Sequence, residues 1–217
     1  MTSESPNYSL GEEIAHSVTH GVGAVLSIAG LVIMVTLAAL RGNAWHVVSC
    51  SIFGASLVFL YTSSTLYHSI THPGAKKVLR VFDHSAIFLL IAGTYTPFTL
   101  VSLRGGWGWT LFVIVWGLAL VGVVYKITAK RRYRLLSVVL YVGMGWLVLV
   151  AIKPMVSSVA MPGLLLLLAG GLFYTLGLVF YVWKRLPYSH AVWHLFVLAG
   201  SVCHFFAVLL YVIPRPS

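Results

Sequence analysis

Carboxylates are almost missing from this chain. Four acidic side chains, Glu4, Glu12, Glu13 and Asp83, occur in 217 residues, and beyond residue 13 Asp83 is alone. Charged residues of every kind make up 8% of the chain, against about 25% in an ordinary soluble domain. A soluble fold is thereby excluded. The two cysteines, Cys50 and Cys203, form no CxxC pair, so a disulfide framework is excluded too. Each sits inside an apolar run and reads as a buried, inert thiol. No Lys or Arg precedes the first apolar run in "MTSESPNYSLGEEIAHS". The basic region of a cleavable signal peptide is therefore lacking, and the first span is expected to remain in the mature protein.

What is abundant is apolar. Hydrophobic residues make up 59% of the sequence. They fall into seven runs, roughly 17–40, 46–71, 82–103, 106–127, 134–153, 163–183 and 190–213. A bilayer crossing takes about 20 residues, so each run is long enough to span. Lipid offers backbone groups no partner, so unbroken runs imply helices, and the alternation of a membrane barrel is absent. The fold expected is all-α: one seven-helix membrane domain over residues 1–217, with no soluble second domain.

The net charge of +10 has a topological meaning rather than implying nucleic acid. With seven spans, Lys76, Lys77, Arg80, Lys126, Lys130, Arg131, Arg132, Arg134, Lys184 and Arg185 lie on the N-terminal side of the membrane. Only Arg41, Arg104, Lys153 and Arg215 lie on the other. By the positive-inside rule the N-terminus is cytoplasmic and the C-terminus outside, in a multi-pass protein of the cell inner membrane. "KRRYR" at 130–134 reads as a topology anchor, with anionic lipid as an alternative partner.

The connections, such as "RGNAW" (41–45), "THPGAKKVLR" (71–80) and "KPMVSSVAMPG" (153–163), are short and rich in Gly and Pro. Neighbouring helices should therefore be adjacent and antiparallel. "TYTPF" puts Pro97 inside span 3, where it should kink the helix. "GVGAVLSIAG" (21–30) and "GLALVG" (117–122) present small residues for close helix packing.

The remaining polar residues gather at one level. His68 lies near the end of span 2, with Ser64 one turn before it on the same face. Asp83 and His84 open span 3, and His190 and His194 open span 7 four residues apart, on one face. Glu13, His16 and His20 precede or begin span 1. All belong to the cytoplasmic ends of their spans. His46 stands apart at the outer boundary, His204 lies mid-span, and His72 falls in the 2–3 connection.

One histidine on an apolar helix is usually structural, and an HxxxH pair alone is a weak metal signal. A third His at the same depth beside the only carboxylate in a span strengthens it. Catalytic zinc sites typically take three protein ligands and keep an open position for water, whose pKa zinc lowers to about 7. Asp83 could be a fourth ligand, or the base for that water, or simply a charge complementing a helix N-terminus. Ser64 could orient a ligand or donate to an oxyanion. His16 and His20 repeat the spacing of His190 and His194, and spacing does not rank the two pairs. Glu13 and His20, seven apart, share a face and are expected to hydrogen-bond at the rim of the site.

The arrangement of Glu13–His20, "SxxxH" at Ser64–His68, Asp83, and "HxxxH" at His190–His194 resembles the hemolysin III proteins of the progestin and adipoQ receptor family. The alkaline ceramidases are more distantly similar. The resemblance runs from "EEIAHSVTHGVG" to "VCHFF" and includes "LIAGTYTPF" and "YSHAVWH". It implies seven helices holding zinc near the cytoplasmic face, with His68, His190 and His194 as ligands. It also implies a partner for the zinc's water at Asp83 and a supporting hydroxyl at Ser64. The long N-terminal region of the hormone-receptor members is absent, so hormone binding does not carry over.

Three functions compete at this point. One is a zinc-dependent hydrolase of a lipid amide or ester, its substrate entering from the bilayer. Another is a non-enzymatic membrane sensor with structural zinc clamping spans 2 and 7. The third, a cytolytic pore or transporter, fits less well. No polar stripe runs along the spans, and transporter sites usually lie near the midplane.

Overall fold

The computed structural model describes residues 8–129, 134–183 and 185–214, and all regular structure among them is helical. The helices are α1 (Leu10–Arg41), α2 (Ala44–Ser69), α3 (Pro73–Pro97), α4 (Gly106–Thr128), α5 (Arg134–Gly145), α6 (Ile152–Ser158), α7 (Met161–Val182) and α8 (Ser189–Tyr211). With α5 and α6 counted together, seven are long and apolar enough to cross a membrane.

Two helices begin earlier than hydropathy indicates. α1 starts at Leu10 rather than 17, because Ser9 and Glu12 form a capping box. The Ser9 hydroxyl accepts from the Glu12 amide at 3.3 Å, and the Glu12 carboxylate accepts from the Ser9 amide at 2.9 Å. α3 starts at Pro73 rather than 82, so most of the expected 2–3 connection is helical. Proline suits the first turn, where its missing N–H costs nothing, and the His72 ring caps the Ala75 amide. Lys76, Lys77 and Arg80 interrupt the apolar run but not the helix. Asp83 therefore lies in the third turn of α3, away from the helix terminus where a macrodipole would hold a lone carboxylate.

Pro97 acts as expected. α3 passes into a π-helical turn, Phe98–Ser102, and Gly105 (φ +136°) then reverses the chain in a conformation that favours glycine. Span 5, expected to be one helix with a loop at 153–163, is broken instead. A 3-10 turn, Leu147–Ala151, separates α5 from α6, and α6 takes in Lys153 and Pro154. The Tyr95 hydroxyl caps the break, lying 2.9 Å from the Met144 and Gly145 carbonyls and accepting from the Val148 amide at 2.9 Å. Of "KRRYR", residues 130–133 lie outside the described residues, as does Lys184.

Two apolar clusters hold the bundle. Met34, Phe53, Tyr61, Trp193 and Val208 join α1, α2 and α8. Phe88, Val115, Ala119, Tyr141 and Met144 join α3, α4 and α5. α1 packs most extensively on α2, α7 on α8 and α2 on α3, while α5 meets α3, α4 and α7 only thinly. Contact between α8 and α1 closes the ring. Small residues allow the tight approaches: Gly23 faces the Tyr61 ring, Gly30 faces Phe205 and Gly122 faces Phe88. Gly117 faces open space instead.

These contacts make a contrasting pair of predictions. A Cβ at Gly23 would stand 2.5 Å from the Tyr61 ring, whose hydroxyl donates to Ser201 at 2.7 Å. Gly23→Ala should cost about 1–3 kcal/mol by overpacking. It should lower the melting temperature of the detergent-solubilised protein, whereas Gly117→Ala, meeting nothing within 4 Å, should leave it unchanged or raise it.

Candidate metal centre

The starts of α1 and α8 and the end of α2 bring the histidines together. On α1, Glu13, His16 and His20 follow one another at three- and four-residue steps along one face. The first turn of α8 is set against α1 by Tyr188, which holds a left-handed backbone (φ 56°) and donates its amide to the Glu12 carboxylate at 3.2 Å. His190 and His194 are thereby aimed at His16 and at His68 near the end of α2.

Glu13 organises the site. Its Oε2 accepts from His68 Nδ1 at 2.6 Å and its Oε1 from Lys76 Nζ at 2.6 Å, joining α1, α2 and α3. The expected pairing of Glu13 with His20 does not occur. Glu13 points across to α2, while the His20 ring lies flat on His194, with centroids 3.5 Å apart and planes 10° from parallel. With a proton on Nδ1 engaged by Glu13, His68 turns Nε2 inward, where it is buried without a hydrogen-bond partner. His194 has the same polarity: its Nδ1 lies 3.3 Å from the His16 carbonyl and 3.2 Å from the Thr19 hydroxyl.

One ligand atom each from His68, His190 and His194 lies within 4.8 Å of the others. A second group, Glu13, His16 and His68, meets the same limit. His68 is buried, its Nδ1 is held by Glu13 and its Nε2 lacks a partner, an arrangement that suits a metal ion. The cluster is thus a site that could bind one.

His16 is the residue spacing could not rank. It is fully buried, and neither ring nitrogen has a hydrogen-bond partner. Its i,i+3 relation to Glu13 was the available signal, because Glu13 Oε2 stands 3.8 Å from His16 Nδ1 on the face that meets His68.

Ser64 is 1% exposed and its hydroxyl has no partner, one turn from His68. Asp83 is half-buried and does not belong to either metal-competent group. Ser64 and Asp83 meet His190 and His194 in the lining of one partly open cavity of about 120 Å³. It runs from these residues to Tyr95, Trp146 and His204. Twelve residues of α3 separate Asp83 from Tyr95, so at ~1.5 Å per residue the cavity extends ~18 Å along the helices. Its walls come from both apolar clusters.

The other histidines stay outside the cluster. His84 Nδ1 bonds the Arg80 carbonyl at 2.8 Å, and His46 pairs with Asn43 at the start of α2. His204 Nδ1 bonds the Gly200 carbonyl at 2.8 Å.

Comparison with known proteins agrees with this architecture. The family described as Haemolysin-III related matches residues 8–205. A "Hemolysin-3 homolog" of Bacillus subtilis (strain 168) is 52% identical over 209 residues, covering 96% of this chain and 98% of that protein. "Hemolysin-3" of Bacillus cereus is 52% identical over 206 residues, covering 95% and 94%. The human "Monocyte to macrophage differentiation factor" is 28% identical over 214 residues, covering 95% and 87%. No solved structure matches. Seven membrane-crossing helices and a match over nearly the whole length make this chain a multi-pass plasma-membrane protein belonging to the Haemolysin-III related family.

Proposed function

We propose that the protein is a membrane-embedded, zinc-dependent hydrolase of lipid amide or ester bonds, of the kind the alkaline ceramidases exemplify. One observation carries the reading: the histidine cluster opens into a long, largely apolar cavity with a carboxylate and an unpartnered hydroxyl beside it. His68, His190 and His194 would hold the ion, and the charge distribution puts this end of the bundle at the cytoplasmic face. When bound, zinc supplies Lewis acidity, polarising a carbonyl and making water a stronger acid.

The chain's own residues do the rest. The apolar walls between α3, α5, α7 and α8 take up acyl chains and exclude water from the scissile group. The Asp83 carboxylate accepts the proton of the attacking water and returns it to the leaving amine or alcohol. The Ser64 hydroxyl, having no protein acceptor, donates to the oxygen on which negative charge develops. Glu13 keeps His68 in the tautomer whose Nε2 faces inward.

The alternative reading is a receptor-like sensor in which zinc clamps helices without chemistry. It is favoured by the presence of His16 at the same cluster.

Purified protein should carry about one zinc per chain, a stoichiometry expected of a single three-ligand centre. The His190→Ala/His194→Ala double mutant should lose it in elemental analysis, and full retention would defeat the ligand assignment. Asp83→Asn should keep its zinc yet lose ~10²–10⁴-fold in turnover of a lipid extract, the usual range for a general acid–base. Unchanged products would rule out hydrolysis through Asp83. Glu13→Gln should weaken zinc binding ~10–100-fold in chelator competition, the usual effect of losing an outer partner of a ligating histidine.

A further inference from the structure

The cavity has a second polar end. Its lining reaches from the histidines at the start of α8 to His204 on the same helix and Tyr174 on α7. Ten residues of α8 separate His194 from His204, so at ~1.5 Å per residue the two ends stand ~15 Å apart.

Hydrogen bonding at this far end is incomplete. His204 Nδ1 lies 2.8 Å from the Gly200 carbonyl, which can only accept. Nδ1 therefore carries a proton, and in the neutral ring Nε2 is an acceptor. The residue is 7% exposed, and among the described residues no hydrogen bond reaches its Nε2. Gly170 packs against the Nδ1–Cε1 edge, which leaves the edge carrying Nε2 to the cavity. Tyr174 lies alongside, with ring centroids 5.3 Å apart and planes 10° from parallel.

The Tyr174 hydroxyl ends a short relay. Tyr61 donates to Ser201 at 2.7 Å, and Ser201 and Tyr174 share one contact of 2.9 Å. One contact takes one proton, so Ser201 and Tyr174 together hold one more than the relay uses. Tyr174 lines the cavity and Ser201 does not. When Ser201 donates to Tyr174, the phenol proton is left for the cavity. The neighbouring donors are already engaged: Trp146 Nε1 donates to Thr175 at 3.0 Å, and Thr175 to the Gly171 carbonyl at 2.7 Å. One acceptor and one donor thus face an otherwise apolar chamber, and a hydroxyl group matches both.

We infer that His204 and Tyr174 form a hydroxyl-binding subsite, and that the lipid held in the cavity carries a hydroxyl on its acyl chain. The inference rests on the acyl-chain reading of the cavity proposed above and narrows its substrate class. A zigzag chain with carbon–carbon bonds of about 1.5 Å advances about 1.25 Å per carbon, so ~15 Å sets the hydroxyl about twelve carbons from the group at the histidines. The hydroxyl donates to His204 Nε2 and accepts from Tyr174. An unsubstituted chain leaves both buried groups unpaired, which is how a site built for a hydroxyl rejects the analogue lacking it.

Displacement of a fluorescent fatty acid, cis-parinarate, from full-length protein in lipid nanodiscs reads the subsite without requiring turnover. Wild type should release the probe to 12-hydroxystearate at about fivefold lower concentration than to stearate, the net worth of one hydrogen bond. The isomer 2-hydroxystearate, whose hydroxyl stays beside its carboxylate, should behave as stearate does. His204→Phe and Tyr174→Phe should each bring 12-hydroxystearate to within about twofold of stearate and leave displacement by stearate itself unchanged.

Equal displacement by 12-hydroxystearate and stearate in wild type would overturn the subsite and leave the acyl-chain cavity intact. So would a preference that survives in both variants, or one that 2-hydroxystearate shares. Displacement by none of the three would remove the acyl-chain reading as well. Should His204→Phe fold poorly on losing its bond to Gly200, Tyr174→Phe and the wild-type comparison of the two hydroxy isomers decide the matter.

Discussion

The polar end of the bundle depends on the carboxylate of Glu13 being shared between Lys76 and His68. A comparable pair on a soluble surface would contribute little. Here the carboxylate and ammonium side chains are only 18% and 24% exposed, at the end of membrane-crossing helices. Charge removed from water must be matched by charge or hydrogen bonds, or it costs heavily. One side chain thus ties three helices and determines which nitrogen of His68 is left for the interior. Had Glu13 faced His20, the His68 ring would have no fixed tautomer and no defined ligand atom.

Hydropathy made the seven crossings legible because lipid allows long apolar runs few other structures. It misjudged the helix starts where the deciding residues are polar. Ser9 and Glu12 extend α1 through a capping box, and Pro73 with His72 extends α3 through a charged turn. Those extensions matter to function. They put Glu13 on a rigid helical face and Asp83 in the third turn of α3 rather than at a loosely held terminus.

The candidate site was legible as a set of residues at one depth, since periodicity reports which residues share a face and hydropathy reports depth. The pairings were not. Glu13 and His68 are 55 residues apart, and no spacing rule spans two helices. Between two equivalent HxxxH pairs, only three-dimensional packing separates His16, facing the other imidazoles, from His20, stacked flat behind one of them. The break in span 5 was hidden for a related reason. Its residues are as apolar as a helix, and the group that completes it, the Tyr95 hydroxyl, comes from another span.

That break has a consequence for the cavity it borders. Irregular backbone persists at membrane depth only where other protein groups take over its hydrogen bonds. At Met144–Val148 a single phenol oxygen on α3 does so. This stretch of wall is therefore riveted across two helices instead of being wound within one. Its position follows the separation of α3 and α5, two helices in only thin contact. The chamber is thus a seam in the bundle rather than a hollow carved into a fixed core. Its width is a property of how far that seam is drawn together, with Tyr95 as the stitch.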